Sequence, residues 1–237
     1  MSNKFTLVTG ASSDIGLETV KLLLRNDELV WGIYNNNQEK LMNLKDQYTG
    51  NLMLSKHDFL NTNDLKIFID DIVEKKRQIK SFISLASIRK SVEYGKISSK
   101  DLNEHFLVNV IPVVLVVQEL GEVMSEQGYG RIVIGSSIGV KFGGSNSTYC
   151  YSVTKYATEL LPKKSKEWVA SNVLSNVVRI GVTETNSMKN KNLNERTNLI
   201  PIKRSASPLE VAKFLTWLSS SANTYISNQV ISFSGGE

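Results

Sequence analysis

The chain has 237 residues, 41% of them hydrophobic, with a formal net charge of +5, two His and one Cys. That apolar share excludes disorder and collagen-like repeats, and the lone Cys150 excludes an internal disulfide and a Cys-based zinc site. With no run approaching roughly 18 uninterrupted apolar residues, no signal-peptide pattern at Met1 to Lys4 and basic residues scattered without a docking motif, a cytoplasmic globular protein binding neither membrane nor nucleic acid is expected.

The elements alternate from the first residues. A short buried strand is predicted at 5–8. It runs into the small-residue loop Thr9-Gly10-Ala11-Ser12-Ser13-Asp14-Ile15-Gly16. A helix follows at 17–25, with Val20, Leu23 and Leu24 at helical spacing. A second strand at 29–34 closes in Asn35-Asn36-Asn37, and residues 38–48 are helical. The third strand, 52–56, is followed by His57-Asp58. A helix at 64–76 and a strand at 81–85 complete the first half. Then come a long helix at 101–124, apolar almost all round at 107–117, and a strand at 131–136. A helix at 148–170 and a strand at 176–180 follow, and a helix at 206–219 and a strand at 229–233 finish the chain.

Strands alternating with helices imply βαβ units, and hence a parallel sheet covered on both faces. A doubly wound α/β fold of about seven strands is expected, as one domain over 1–237. Only 186–203 lacks the pattern. It is polar and basic, with Lys189, Lys191, Arg196 and Lys203, and reads as a mobile lid over substrate.

Two features carry chemistry. The loop at 9–16 would present backbone N–H groups at a helix N-terminus, where the dipole favours a phosphate. Gly10 permits the tight turn, and Gly16 permits close packing of helix on strand. Asp14 suits a helix N-cap and tolerates positive φ, but would set a carboxylate near the phosphates. The second feature is Tyr151-Ser152-Val153-Thr154-Lys155, which puts Tyr and Lys at i and i+4 on one helix face. A nearby ammonium favours phenolate and brings Tyr151 closer to operating pH.

The loop resembles Thr-Gly-x-x-x-Gly-x-Gly of the short-chain dehydrogenase/reductase family, with Asp14 at the middle glycine. The resemblance covers essentially the whole chain. Asp58 follows the third strand, and Asn109 lies in the helix after the fourth. Ser137, Tyr151 and Lys155 come next, then Gly181 to Thr185, with Ile180 in place of the usual proline.

The resemblance implies a Rossmann-type α/β/α enzyme interconverting a carbonyl and a secondary alcohol by hydride transfer. Tyr151 would be the general acid or base, and Lys155 would bind the nicotinamide ribose and lower the Tyr151 pKa. Ser137, with Ser136 as rival, would hold the substrate carbonyl, and Asn109 a water leading to Lys155. Gly10, Ser12, Ser13, Asp14, Ile15, Gly16, Asp58, Ala86, Gly181, Val182, Thr183 and Thr185 would join Tyr151 and Lys155 around the cofactor.

NADP(H) is favoured, because no carboxylate ends the second strand. Asn35 and Asn36 would donate to its phosphate, and NAD(H) stays open. Ser84-Leu85-Ala86-Ser87 replaces the family's Asn-Asn-Ala-Gly, and Pro162 should kink or end the Tyr151 helix. No metal is implied. A homodimer or homotetramer is, with a small carbonyl or alcohol substrate, anionic by the charge of the lid. The comparison with 3-oxoacyl-carrier-protein reductases puts Arg131 at one carrier-docking position and Asn172 at the other. The alternative is a non-catalytic nicotinamide-nucleotide sensor.

Overall fold

Among the described residues of the computed structural model, 4–186 and 193–237, seven parallel strands form one sheet. They are β1 (Phe5–Thr9), β2 (Leu29–Tyr34), β3 (Leu52–Lys56), β4 (Ile79–Ser84), β5 (Gly130–Ser137), β6 (Val173–Ile180) and β7 (Gln229–Phe233). The helices between them are α1 (Asp14–Arg25), α2 (Glu39–Gln47), α3 (Thr62–Lys75), α4 (Ser99–Asn109), α5 (Ile111–Glu126), α6 (Tyr149–Ala157), α7 (Lys164–Trp168), α8 (Leu193–Leu199) and α9 (Pro208–Leu218). The spatial order is β3-β2-β1-β4-β5-β6-β7. The chain therefore winds outward in one direction from β1 and then in the other from β4. Between β1 and β4 it leaves a crevice at the carboxyl ends of the strands.

The expected doubly wound sheet follows from side-chain alternation. Leu7, Phe82 and Ile132 point to one face, where Phe68, Ile72, Val116, Leu120 and Trp168 from α3, α5 and α7 cover them. Their neighbours Val8, Ile83 and Val133 point to the other face, under Val20, Leu24, Leu41, Val211 and Leu215 from α1, α2 and α9. With both faces covered, the central strands read as unbroken apolar runs. Each such buried side chain contributes about 1.5–3 kcal/mol.

Two helices are shorter than their periodicity predicts. The 101–124 helix is two helices that meet at Val110, because Pro112 has no N–H to offer the preceding turn. Together they span 99–126, with mean hydropathy 1.8 over 18 residues. By length and composition this run could cross a membrane, contrary to the expectation. Its Val116, Leu120 and Met124 are instead fully buried in the core.

The 148–170 helix stops at Ala157 and resumes only as α7. Pro162 disfavours helical backbone at Leu161. In addition, the Glu159 carboxylate is drawn out of the helix line to Arg179, at 2.9 and 2.7 Å, and to the Ser136 hydroxyl at 2.7 Å. The break therefore comes before Pro162 and ties the end of α6 to β5 and β6.

The segment 186–203 is not wholly irregular, since it contains α8. Residues 187–192 of the expected lid, Lys189 and Lys191 among them, lie outside the described residues.

Candidate active site

A cleft of about 1580 Å³ opens along the carboxyl ends of the strands, at the β1/β4 crevice. The β1–α1 loop forms one wall. Gly10 adopts φ +69°, and a Cβ there would lie 2.7 Å from the Leu85 carbonyl carbon. A Cβ on Gly16 would lie 2.1 Å from the Gly10 oxygen, so only glycine lets α1 approach this closely. The Ser13 hydroxyl accepts from the Gly16 N–H at 3.0 Å and caps the helix. Ser12, Ser13, Asp14 and Ile15 line the cleft, with the helix N-terminus behind them.

Asp14 is not the cap. It is the first helical residue, and its two oxygens accept from the Asn186 backbone N–H at 2.7 Å and from Asn186 Nδ2 at 2.6 Å. Its charge is thus partly satisfied by the start of the 186–203 segment.

Four expected cofactor contacts are placed differently. Asn35 and Asn36 do not line the cleft. Asn37, at φ +57°, turns the chain so that Asn37, Glu39 and Lys40 do. Asp58 does not line it either. Its Oδ1 accepts from the Leu60 N–H at 3.0 Å, and its own N–H donates to Asp64 Oδ2 at 2.7 Å. His57 Nδ1 stands 2.7 Å from the other Asp64 oxygen. Ala86 lies behind the wall, with its N–H 3.4 Å from Thr9 Oγ1, and its neighbours Leu85 and Ser87 line the cleft instead.

The opposite wall holds the remaining candidates. Ser137 ends β5, and Tyr151 and Lys155 stand one turn apart on α6. Successive strand side chains point to opposite faces, and this separates the two serines. Ser136 turns to Glu159 and to the Lys155 carbonyl, at 2.7 and 3.3 Å. Ser137 faces the cleft beside Tyr151, and its hydroxyl accepts from the Gly139 N–H at 3.2 Å.

Lys155 is buried. Its Nζ donates to the Gly135 carbonyl at 2.8 Å and lies 5.9 Å from the Tyr151 ring centroid. Asn109 is fully buried. Its Oδ1 accepts from the Ile88 N–H at 2.8 Å, and its Nδ2 donates to the Ile88 carbonyl at 3.1 Å and to Thr154 Oγ1 at 2.9 Å. It thus clips the loop after β4 to the helix bearing Tyr151. Gly181, Val182, Thr183 and Thr185 line the cleft beyond β6. Thr183 is held there by a bridge to Ala206.

Electrostatics distinguish the pair on α6. Burial pushes the Tyr151 phenol up, against downward pulls from the Ser137 hydroxyl, the Arg89 charge and the Ser87 hydroxyl. The expected depression of Tyr151 by Lys155 is therefore not what this geometry gives. Burial brings Lys155 itself down to about 8. Cys150 is buried and its thiol is pushed up by burial, which makes it unreactive.

Sequence reasoning missed Ser87, Arg89 and Lys40. All three lie just past strand ends, at the rim where an open α/β sheet collects its ligand contacts. Lys40 has no local signal, because it stands in the first turn of α2, beyond the Asn run.

Comparison with known proteins supplies the family context. The family model described as short chain dehydrogenase matches residues 4–196. A 3alpha-hydroxysteroid dehydrogenase of Mediterraneibacter gnavus is 25% identical over 243 residues, covering 99% of this chain and 97% of its own. A 3-oxoacyl-[acyl-carrier-protein] reductase of Buchnera aphidicola subsp. Schizaphis graminum is 28% identical over 244 residues, covering 100% and 98%. Among solved structures, a 3-oxoacyl (acyl-carrier-protein) reductase from Agrobacterium tumefaciens C58 with NADP bound superposes with a TM-score of 0.87. It is 20% identical and covers 99% of this chain and 94% of its own.

Proposed function

The chain belongs to the short-chain dehydrogenase family, NAD(P)-dependent oxidoreductases, and from that premise we propose that it is an NADP(H)-dependent carbonyl reductase with Tyr151 as its proton donor. The observation that carries this reading is the convergence of Ser137, Tyr151 and the buried Lys155 on one cleft with the glycine-bare N-terminus of α1. The cleft suits a dinucleotide. Backbone donors at α1 would hold the pyrophosphate, and Lys40 with Ser12 and Ser13, which line the cleft, would take a 2′-phosphate in place of the expected Asn35 and Asn36. Relatives and structural neighbours named for carbonyl reduction and bound NADP support it.

When bound, NADPH supplies hydride to the substrate carbon. The protein provides the rest. Ser137 donates to the carbonyl oxygen and holds it beside Tyr151. Tyr151, its pKa raised by burial, stays protonated in the neutral range and passes its proton to that oxygen as negative charge develops there. The Lys155 ammonium stabilises the phenolate that remains. Asn109 keeps the Ser87–Arg89 loop and α6 in register. The same reading carries a homodimer or homotetramer through the outward side of α5 and the end of α6, where Val114, Tyr156 and Leu160 are exposed.

The direct test is titration with NADPH and with NADH, followed by nicotinamide fluorescence and melting temperature. NADPH is expected to bind and raise Tm by mass action, and NADH to bind more weakly. Tighter NADH binding overturns the cofactor choice alone. Binding of neither moves the non-catalytic sensor forward, with the Asp14 carboxylate as the physical obstacle.

A pH dependence follows from Lys155. Its ammonium is present below about pH 8 and is lost as pH rises through that value. Reduction also needs the Tyr151 proton, so both groups act in the same direction. In the reducing direction kcat/KM is expected to fall above about pH 8, as measured from pH 6 to 10. A flat profile across that range rules out a role for the Lys155 charge.

A further inference from the structure

We propose that the substrate is an oxo acid, its free carboxylate held by Arg89 while its carbonyl lies against Ser137 and Tyr151. This rests on the reductase reading and deepens it. Arg89 lines the cleft beside the reacting phenol, its guanidinium carbon 6.0 Å from the Tyr151 ring centroid. The loop that carries it is fixed, because Asn109 bonds both the N–H and the carbonyl of Ile88, the preceding residue. A guanidinium offers a planar fork of donors that matches a carboxylate.

The rest of that half of the cleft has the same character. Ser137, Ser145, Ser147 and Thr148 contribute hydroxyls, and Lys141 adds a second cation at the rim. The carboxylates among the described lining residues are elsewhere. Asp14 is held by Asn186, Glu237 is paired with Arg196, and Glu39 sits at the start of α2. A substrate that enters beside Tyr151 therefore meets hydroxyl groups, with the Arg89 and Lys141 side chains at the same end of the cleft. The field of Arg89 is already felt there as a downward pull on Tyr151.

A carrier-bound thioester, the substrate named for several relatives, is served less well. Such an acyl group has no free carboxylate for Arg89. The cation expected at the carrier-docking position, Arg131, is also buried and fully engaged by the chain itself. In the step proposed, hydride from NADPH reaches the carbonyl carbon and the Tyr151 proton reaches the oxygen. The oxo acid becomes a hydroxy acid, and NADPH becomes NADP+.

The test pairs each of a series of 2-, 3- and 4-oxo acids with its methyl ester, in NADPH-driven reduction by wild type, Arg89→Leu and Arg89→Lys. Wild type is expected to favour at least one acid over its ester by about tenfold or more in kcat/KM, the preference lying in KM. Arg89→Leu should bring that ratio close to one, and Arg89→Lys should keep part of it. Using the ratio cancels any effect of Arg89 on Tyr151, since both substrates share that proton donor. NADPH binding by each variant serves as the folding control. Esters matching acids in wild type, or a preference that survives in Arg89→Leu, overturns the proposal while leaving the reductase reading intact. Failure of wild type to reduce either member of any pair, with NADPH bound, counts against both.

Discussion

Tyr151→Phe is expected to lower kcat for carbonyl reduction by about a thousandfold, within the span of roughly 10²–10⁴ typical of a positioned acid. On the transition-state scale that is about 4 kcal/mol, supplied by one hydroxyl. NADPH affinity should change by less than about threefold, since phenylalanine keeps the ring that packs over Lys155 and loses only the proton donor. The fold should hold as well, because the Ser137 hydroxyl keeps its bond from the Gly139 N–H at 3.2 Å. Stopped-flow measurement of NADPH oxidation, beside a fluorescence titration of binding, separates the two effects. Unchanged turnover would remove Tyr151 from the mechanism. Equal loss of turnover and binding would make it a cofactor contact instead.

Strand positions were legible because their signal is local and strong. Runs such as Leu7-Val8 and Ile132-Val133-Ile134 are apolar on both faces, as a sheet buried on both sides requires. Helix ends were less so. A proline such as Pro162 announces a break, but not that the break falls at Ala157, where the Glu159 carboxylate leaves for Arg179 across the sheet. That contact joins residues 20 apart, and no local pattern encodes it.

The site shows the same division. Ser12, Ser13, Ser137, Tyr151 and Lys155 were identified by spacing and resemblance, and all line one cleft. Asn35, Asn36 and Asp58 carry the right chemistry in the right order. Their place depends on backbone turns, such as the left-handed Asn37, that a linear motif does not report. Arg89 and Lys40 have no motif of their own and emerge only when the strand ends are brought together.

Arg131 is expected to govern stability rather than docking. Its Nε donates to the carbonyls of Ser220 and Asn223, at 3.2 and 3.1 Å. Nη1 donates to the carbonyls of Gly130 and Asn172, at 2.8 and 2.7 Å. Nη2 donates to Asn172 Oδ1 at 3.1 Å and to the Asn223 carbonyl at 2.8 Å. The side chain is only 2% exposed, and Tyr129 lies on it with ring centroid and guanidinium carbon 4.5 Å apart. It therefore joins the start of β5, the turn before β6 and the loop after α9. Arg131→Ala strands several buried carbonyls at once, each costing about 1–3 kcal/mol when unpaired. Water entering the gap would recover part of that, so a loss of about 4 kcal/mol is expected. In a chain of this size that lowers Tm by roughly 8–16 °C. Arg131→Lys should recover little, since one ammonium cannot span three chain segments. Urea denaturation of the three proteins measures the loss. The folded Arg131→Ala enzyme, assayed well below its Tm, should keep its kcat/KM on small oxo acids. Native stability with selective loss of activity on a carrier-bound thioester would return Arg131 to the docking surface. It would also reopen the carrier-linked substrates that its burial argues against.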